Sequence, residues 1–68
     1  MNNAASYREH ARREQAAADA ATLDNVRDRS QRAADAWTGM ADRLERTDQA
    51  RKEREAAVTA RIEAEKPA

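Results

Sequence analysis

The amino-acid sequence predicts an all-α fold: a helical hairpin with a long second helix, completed as a dimeric helical bundle or coiled coil. Helix breakers are scarce, since the 68 residues include one Gly and one Pro. Apolar residues recur every three or four positions, which is the spacing of one helix face. Alanine makes up most of the 40% hydrophobic fraction. A short chain with so few large apolar side chains buries little surface alone, which favours self-association.

The first helix is predicted to begin at Tyr7, after a frayed N-terminus over residues 1–5. Ser6 and Glu9 have the spacing of a capping box, in which each side chain accepts a hydrogen bond from the other residue's amide. No Gly or Pro follows before Ala21. This helix is expected to carry a narrow apolar stripe of Tyr7, Ala11, Ala17 or Ala18, and Ala21.

A break between two helices is predicted at residues 22–25. Thr and Asp favour N-cap positions, so Thr22 or Asp24 can start the second helix. Asp24 also brings a negative charge to the positive end of the helix dipole. Because no glycine marks the end of the first helix, one uninterrupted helix is the alternative.

The second helix, Asp24 to about Glu63, contains the clearest apolar repeat. Steps of four and three residues form a heptad seam, which consists of Val26, Ser30, Ala33, Trp37, Met40 and Leu44. Trp37 is the only Trp and is predicted to anchor this seam, with an exposed contact for another protein as the alternative. Residues 6–46 are therefore predicted to form the hairpin.

Residues 47–68 are predicted to form a charged helical extension with a frayed C-terminus. The seam turns charged after Leu44 and recovers at Val58 and Ile62. Opposite charges four residues apart support a solvated helix, and these pairs are Asp42–Arg46, Asp48–Lys52 and Arg61–Glu65. At about 1.5 Å per residue the second helix is far longer than the first. Its second half must overhang, fray or pair with another chain.

Several sequence features occur in a fixed order along the first two thirds of the chain. They are Tyr7-Arg8-Glu9, an Ala-rich stretch over 16–21, a turn over 22–25, Val26-Arg27-Asp28-Arg29, Trp37 and Met40-Ala41. In this pattern the chain resembles a group of very short, uncharacterised alphaproteobacterial proteins with a helical-hairpin fold. The resemblance covers residues 7–44. It implies a helical hairpin and no particular activity.

The residue types argue against several kinds of chemistry. The chain has no Cys, which excludes disulfides, thiolate metal sites and a Cys nucleophile. His10 and Glu14 could share a metal ion weakly, but structural sites usually need four ligands, so His10 is predicted to be an exposed helix residue. Catalytic motifs and phosphate-binding loops do not occur in the sequence. We therefore expect no enzymatic activity, no metal and no cofactor.

The predicted function is a non-enzymatic interaction module that acts through helix–helix self-association or partner binding. Its interaction residues are predicted to be Tyr7, Val26, Trp37, Met40, Leu44, Val58 and Ile62. The 13 basic and 13 acidic residues balance, which disfavours nucleic acid as a partner. An accessory nucleic-acid-binding protein is the alternative, and it would use Arg27, Arg29 and Arg32.

The sequence also bears on the compartment. No apolar run approaches the ~20 residues of a membrane span. The N-terminal residues lack the apolar segment of a secretory signal. We therefore expect a cytoplasmic homodimer without membrane contact.

Overall fold

The computed structural model describes residues 3–67, and these residues form two α-helices and no strand. Helix α1 spans Ala4–Ala20 and helix α2 spans Asp24–Glu65. The helices pack antiparallel into a rod of 69 × 16 × 16 Å. Helix α2 has 42 residues and sets the length of the rod, because a helix rises about 1.5 Å per residue. The predicted fold class, an all-α hairpin with a long second helix, is confirmed.

Helix α1 begins three residues before the predicted start. Asn3 is its N-cap, and the Asn3 side chain accepts a hydrogen bond from the Ser6 amide at 2.8 Å. The predicted capping box is therefore wrong, because a cap one turn earlier leaves Ser6 inside the helix. Glu9 instead forms ion pairs with Arg12 and Arg13.

The break between the helices lies where the sequence predicts it, but no side chain caps α2. The chain leaves α1 at Ala21, whose amide donates to the Ala18 carbonyl at 3.2 Å. Leu23 holds the N-cap position of α2 with extended backbone and forms no capping hydrogen bond. Capping by Thr22 or Asp24 is thus wrong, although Asp24 lies in the first turn as the dipole argument expects. One uninterrupted helix is excluded.

Small side chains line the interface between the helices. The buried residues, called the hairpin seam, are Ala11, Ala18, Ser30, Ala34 and Ala41. Ala34 and Ala41 take the places predicted for Ala33 and Met40, which are half-buried. Ser30 is buried as predicted, so α2 is turned by only part of a residue step, which points Ala34 and Ala41 instead of Ala33 and Met40 toward α1. This arrangement brings the helices close together, because the distance between helix axes depends on the side chains at the contact.

Helix α2 continues far beyond the start of α1. Every residue from 51 to 67 is exposed, and the helical part, residues 51–65, is called the α2 extension. Of the three possibilities that the sequence left open, the single chain has an overhanging regular helix. The predicted frayed N-terminus is wrong for residues 4–5, which belong to α1 because Asn3 caps the helix there. Residues 1–2 and 68, which also belong to the predicted frayed ends, lie outside the described residues.

The ion pairs along α2 differ from the predicted ones. None of the three pairs predicted at four-residue spacing is formed within residues 3–67. Arg51 instead contacts Asp48 at 3.6 Å and Glu55 at 3.9 Å. Asp42 pairs with Arg8 of α1. The prediction was wrong because residues three apart are also neighbours on a helix, and because α1 competes for the carboxylates that face it.

Candidate interaction surface

The predicted interaction residues fall into two groups. Five of them lie on the hairpin and are half-buried, namely Tyr7, Val26, Trp37, Met40 and Leu44. Val58 and Ile62 lie on the α2 extension and are 44% and 53% exposed. Within the described residues no large side chain is fully buried. Within residues 3–67 small side chains therefore fill the interior, and the large apolar side chains lie at its edge or on the surface.

Three ring side chains form an aromatic cluster on one flank of the hairpin seam. The Tyr7 and Trp37 ring centroids are 5.6 Å apart with the planes inclined at 39°. The His10 ring stacks on Trp37 at 4.4 Å and 20°. Such offset ring pairs stabilise beyond the area that they bury. Trp37 is thus held in place by α1 but is not enclosed, and His10, exposed as predicted, gains a contact that the sequence did not predict.

A shallow groove runs beside the aromatic cluster near the open end of the hairpin. It has a volume of about 430 Å³ and is called the hairpin groove. Its lining residues are Tyr7, Met40, Arg43, Leu44 and Thr47. Three of the predicted interaction residues therefore meet in one concavity, where α1 supplies one wall and α2 the other.

Arg8 ties the two helices together at the same end of the hairpin. Its guanidinium group donates to the carboxylates of Asp42 at 2.8 Å and Glu45 at 3.0 Å. Both hydrogen bonds raise the pKa of the Arg8 guanidinium above its ordinary value, and the hydrogen bond to Glu45 has the larger effect. The ion pairs link the second turn of α1 to α2 close to the hairpin groove, and their contribution is modest because these side chains are about half exposed.

A reciprocal amide pair fixes the middle of the hairpin. Gln15 and Gln31 each donate from Nε2 to the other's Oε1 at 2.9 Å. Asp19 and Asp35 accept the second proton of each amide at 3.0 Å. Because the pair is partly buried and matched in both directions, sliding one helix along the other would leave these polar groups without partners. The hairpin therefore holds one register.

The α2 extension repeats the apolar face of the hairpin groove. Val58 follows Met40 by 18 residues, and Ile62 follows Leu44 by the same number. At 3.6 residues per turn, 18 residues are about five complete turns, so each pair lies on one line along the helix. Thr47 and Arg51 lie on this line between the two apolar groups. The groove and the extension thus form a single surface along one side of α2.

The three arginines of the alternative function do not share one face of α2. Arg29 and Arg32 are exposed and lie about 60° apart around the helix axis, whereas Arg27 lies roughly 140° or more from both at 100° per residue. Arg27 also approaches Asp24 at 3.4 Å. This arrangement gives a phosphate backbone little continuous positive surface. Nucleic-acid binding stays a prediction. It expects a salt-sensitive gel shift that is lost when all three arginines are replaced by Ala. The absence of any gel shift at low salt would exclude it.

Within residues 3–67 no three His, Asp or Glu side chains come close enough together to hold a metal ion. Neither helix has, over the residues described, an apolar segment long enough to cross a membrane.

Comparisons with known proteins add no homologue. No protein-family model, curated protein or solved structure matches the chain significantly. The resemblance to short alphaproteobacterial hairpin proteins stays a prediction.

Proposed function

We propose that the chain is a non-enzymatic helical interaction module of the cytoplasm, with an adaptor, regulatory or structural role. It acts by packing the apolar line of α2 against a helix of a second copy or of another protein. The observation that carries the proposal is the overhang of α2. All residues of the α2 extension are exposed, including Val58 and Ile62.

The extension has no helix packed against it in the single chain, and this leaves it only marginally stable. An isolated helix of this length is marginal in water, and most helical stability in proteins comes from packing an apolar face. The hairpin nucleates the extension but covers none of it. A helix that exposes two large aliphatic side chains on the line of a half-open groove gains stability when a second helix covers them.

The aromatic cluster and the hairpin groove beside it supply anchors of the kind that interfaces use. Trp and Tyr are enriched at the centres of protein interfaces, because they offer a large apolar area with few rotatable bonds. Trp37 is held by Tyr7 and His10, so little side-chain entropy is lost when a partner contacts it. Met40 adds an adaptable side chain that suits a groove for another helix.

Sedimentation equilibrium over a wide concentration range, with circular dichroism on the same samples, tests the proposal. We expect the average mass to rise with concentration, and helicity to rise with it as the extension is ordered. A chain that stays a monomer is then used as bait with purified candidate helices. A monomer that binds none of them contradicts the proposal, whatever its helicity.

The Trp37→Ala variant tests the role of the aromatic cluster. We expect it to lower the free energy of unfolding by about 3 kcal/mol, near the low end for loss of a large aromatic side chain because Trp37 is half-buried, and to weaken association. Thr38→Ala is the matched control for handling and helicity, because Thr38 is exposed and lies about 160° away from Met40 around α2. If helicity and average mass are both unchanged in Trp37→Ala, Trp37 is not part of the interaction surface.

A further inference from the structure

We propose that two copies of this chain associate antiparallel, with the α2 extension of each copy lying in the hairpin groove of the other. Val58 and Ile62 of one copy then pack against Tyr7, Met40 and Leu44 of its partner. This inference rests on the proposed function and specifies its partner and its geometry. It accounts for both halves of the apolar line with a single two-fold contact.

The two halves of the line differ in how many helices build them, and this difference favours the antiparallel direction. Both helices build the hairpin half, because Tyr7 of α1 lines the hairpin groove together with Met40 and Leu44 of α2. Helix α2 alone builds the extension half, which carries a second shallow groove of about 460 Å³ lined by Arg54, Glu55, Val58 and Thr59. Antiparallel pairing brings each extension against the two-helix half of the other copy. Parallel pairing would place the two extensions against each other without any contact to α1, and so would cover less of their apolar surface.

The residue spacing fits one register at both ends of the dimer. When Val58 lies opposite the partner's Leu44, Ile62 lies opposite the partner's Met40, since both pairs of residue numbers sum to 102. The two-fold axis then passes beside Arg51. Every large apolar residue of the α2 line, from residue 40 to residue 62, meets an apolar residue of the other copy.

The charged middle of the line is electrically balanced. Asp48, Arg51, Arg54 and Glu55 carry two positive and two negative charges. Arg51 lies between the carboxylates of Asp48 and Glu55 on its own helix, at 3.6 and 3.9 Å. When two copies meet at Arg51, each guanidinium group therefore enters surroundings rich in carboxylates. The meeting of like residues at the axis is not repulsive, because opposite charges within about 4 Å offset it.

The Ile62→Asp variant tests the contact. Each dimer loses two Ile62 side chains, and each is worth at least about tenfold in affinity, so the dimer dissociation constant is expected to rise roughly a hundredfold in sedimentation equilibrium. Ala60→Asp is the matched control, because it adds the same charge about 160° away from Ile62 around the helix and is expected to leave the constant unchanged. Trp37 fluorescence reports whether the hairpin remains folded in both variants.

Spin labels on single introduced cysteines test the direction and register, since the chain has no Cys of its own. Gln49→Cys and Ala64→Cys both carry the label on an exposed residue. At about 1.5 Å per residue, the proposed register separates the two labels in a dimer by about 6 Å along the axis at position 49 and about 39 Å at position 64.

The outcomes separate this inference from the proposed function. A short distance at position 49 with a long one at position 64 supports the antiparallel dimer. Similar distances at the two positions overturn it, because parallel pairing predicts them. A longer distance at position 49 than at position 64 also overturns it, because antiparallel pairing of the extensions alone, with Val58 opposite the partner's Ile62, separates the labels by about 33 Å and about 12 Å along the axis. In both cases self-association itself stands. A monomer that binds another helix overturns the inference and keeps the proposed function. A monomer that binds nothing overturns both.

Discussion

At the scale of single residues, side-chain size determines how the hairpin packs. Ala34 and Ala41 are 2% and 0% exposed, while the half-buried Trp37 and Met40 lie on the flank. Small residues in the seam allow close approach of the backbones, and the large residues then cover the edge of the contact. The result is a two-helix contact whose specificity comes from tight spacing and whose apolar area remains open to a partner.

Enlarging a seam residue is expected to destabilise the hairpin. Ala41→Leu places three extra carbon atoms where no free space exists, and overpacking of this kind typically costs about 1–3 kcal/mol. Urea unfolding followed by circular dichroism measures the loss. Ala57→Leu, the same change at an exposed residue of the extension, should be close to neutral. Equal effects of the two substitutions would mean that the seam is not tightly packed.

The sequence predicts only some of the residues that are buried between the helices. The heptad repeat identifies Ser30, Trp37 and Leu44, but Ala33 and Ala34 are neighbours of equal hydrophobicity, and Met40 is more apolar than Ala41. A pattern that ranks positions by hydrophobicity therefore chooses Met40. Which of the two residues is buried depends on how closely α1 can approach α2. That distance is a property of both helices together.

At the scale of elements, the start of α1 is organised by charge and by a cap. Asn3 caps the first turn, and Glu9 accepts hydrogen bonds from Arg12 and Arg13 one turn later. The hydrogen bond from Arg12, with its positive charge, lowers the pKa of the Glu9 carboxyl below its ordinary value. These groups are exposed, so their contribution is modest and sensitive to salt.

The lowered pKa of Glu9 predicts a pH dependence of stability. A carboxyl whose pKa is depressed by folding stabilises the helix above its ordinary pKa of 4.5 and loses that effect as the pH falls through its folded value. The difference in urea midpoint between the native chain and Glu9→Gln should thus be present at pH 6 and shrink toward pH 3. Glu14→Gln, which touches none of the ion pairs found over residues 3–67, is the control. A difference that does not change with pH would contradict the assignment.

The number, order and approximate ends of the helices were predictable from the sequence, whereas their caps were not. A Ser-to-Glu spacing fits a capping box, but Asn3 competes with it three residues earlier and begins the helix first. The contacts between the helices were also missed, because the pairing of Arg8 with Asp42, or of Gln15 with Gln31, depends on the antiparallel register. That register becomes visible only when both helices are in place.

At the scale of the whole molecule, the chain has two parts with different sources of stability. Hairpin residues are held by the seam, the aromatic cluster and polar contacts between α1 and α2. The α2 extension is held by its own backbone hydrogen bonds and by local side-chain contacts, such as the Arg51–Glu55 ion pair and the Gln49–Glu53 hydrogen bond. The length difference between the helices made this overhang predictable, but length alone did not indicate that its apolar face continues the groove.

Hydrogen exchange of backbone amides, measured as a function of protein concentration, tests the central claim that the extension is completed by association. We predict that amides of the hairpin are protected at every concentration. Amides of residues 51–65 should exchange fast in dilute solution and slow down as the concentration rises and dimers form. Exchange rates in the extension that do not depend on concentration would contradict the claim, whether those rates are slow or fast.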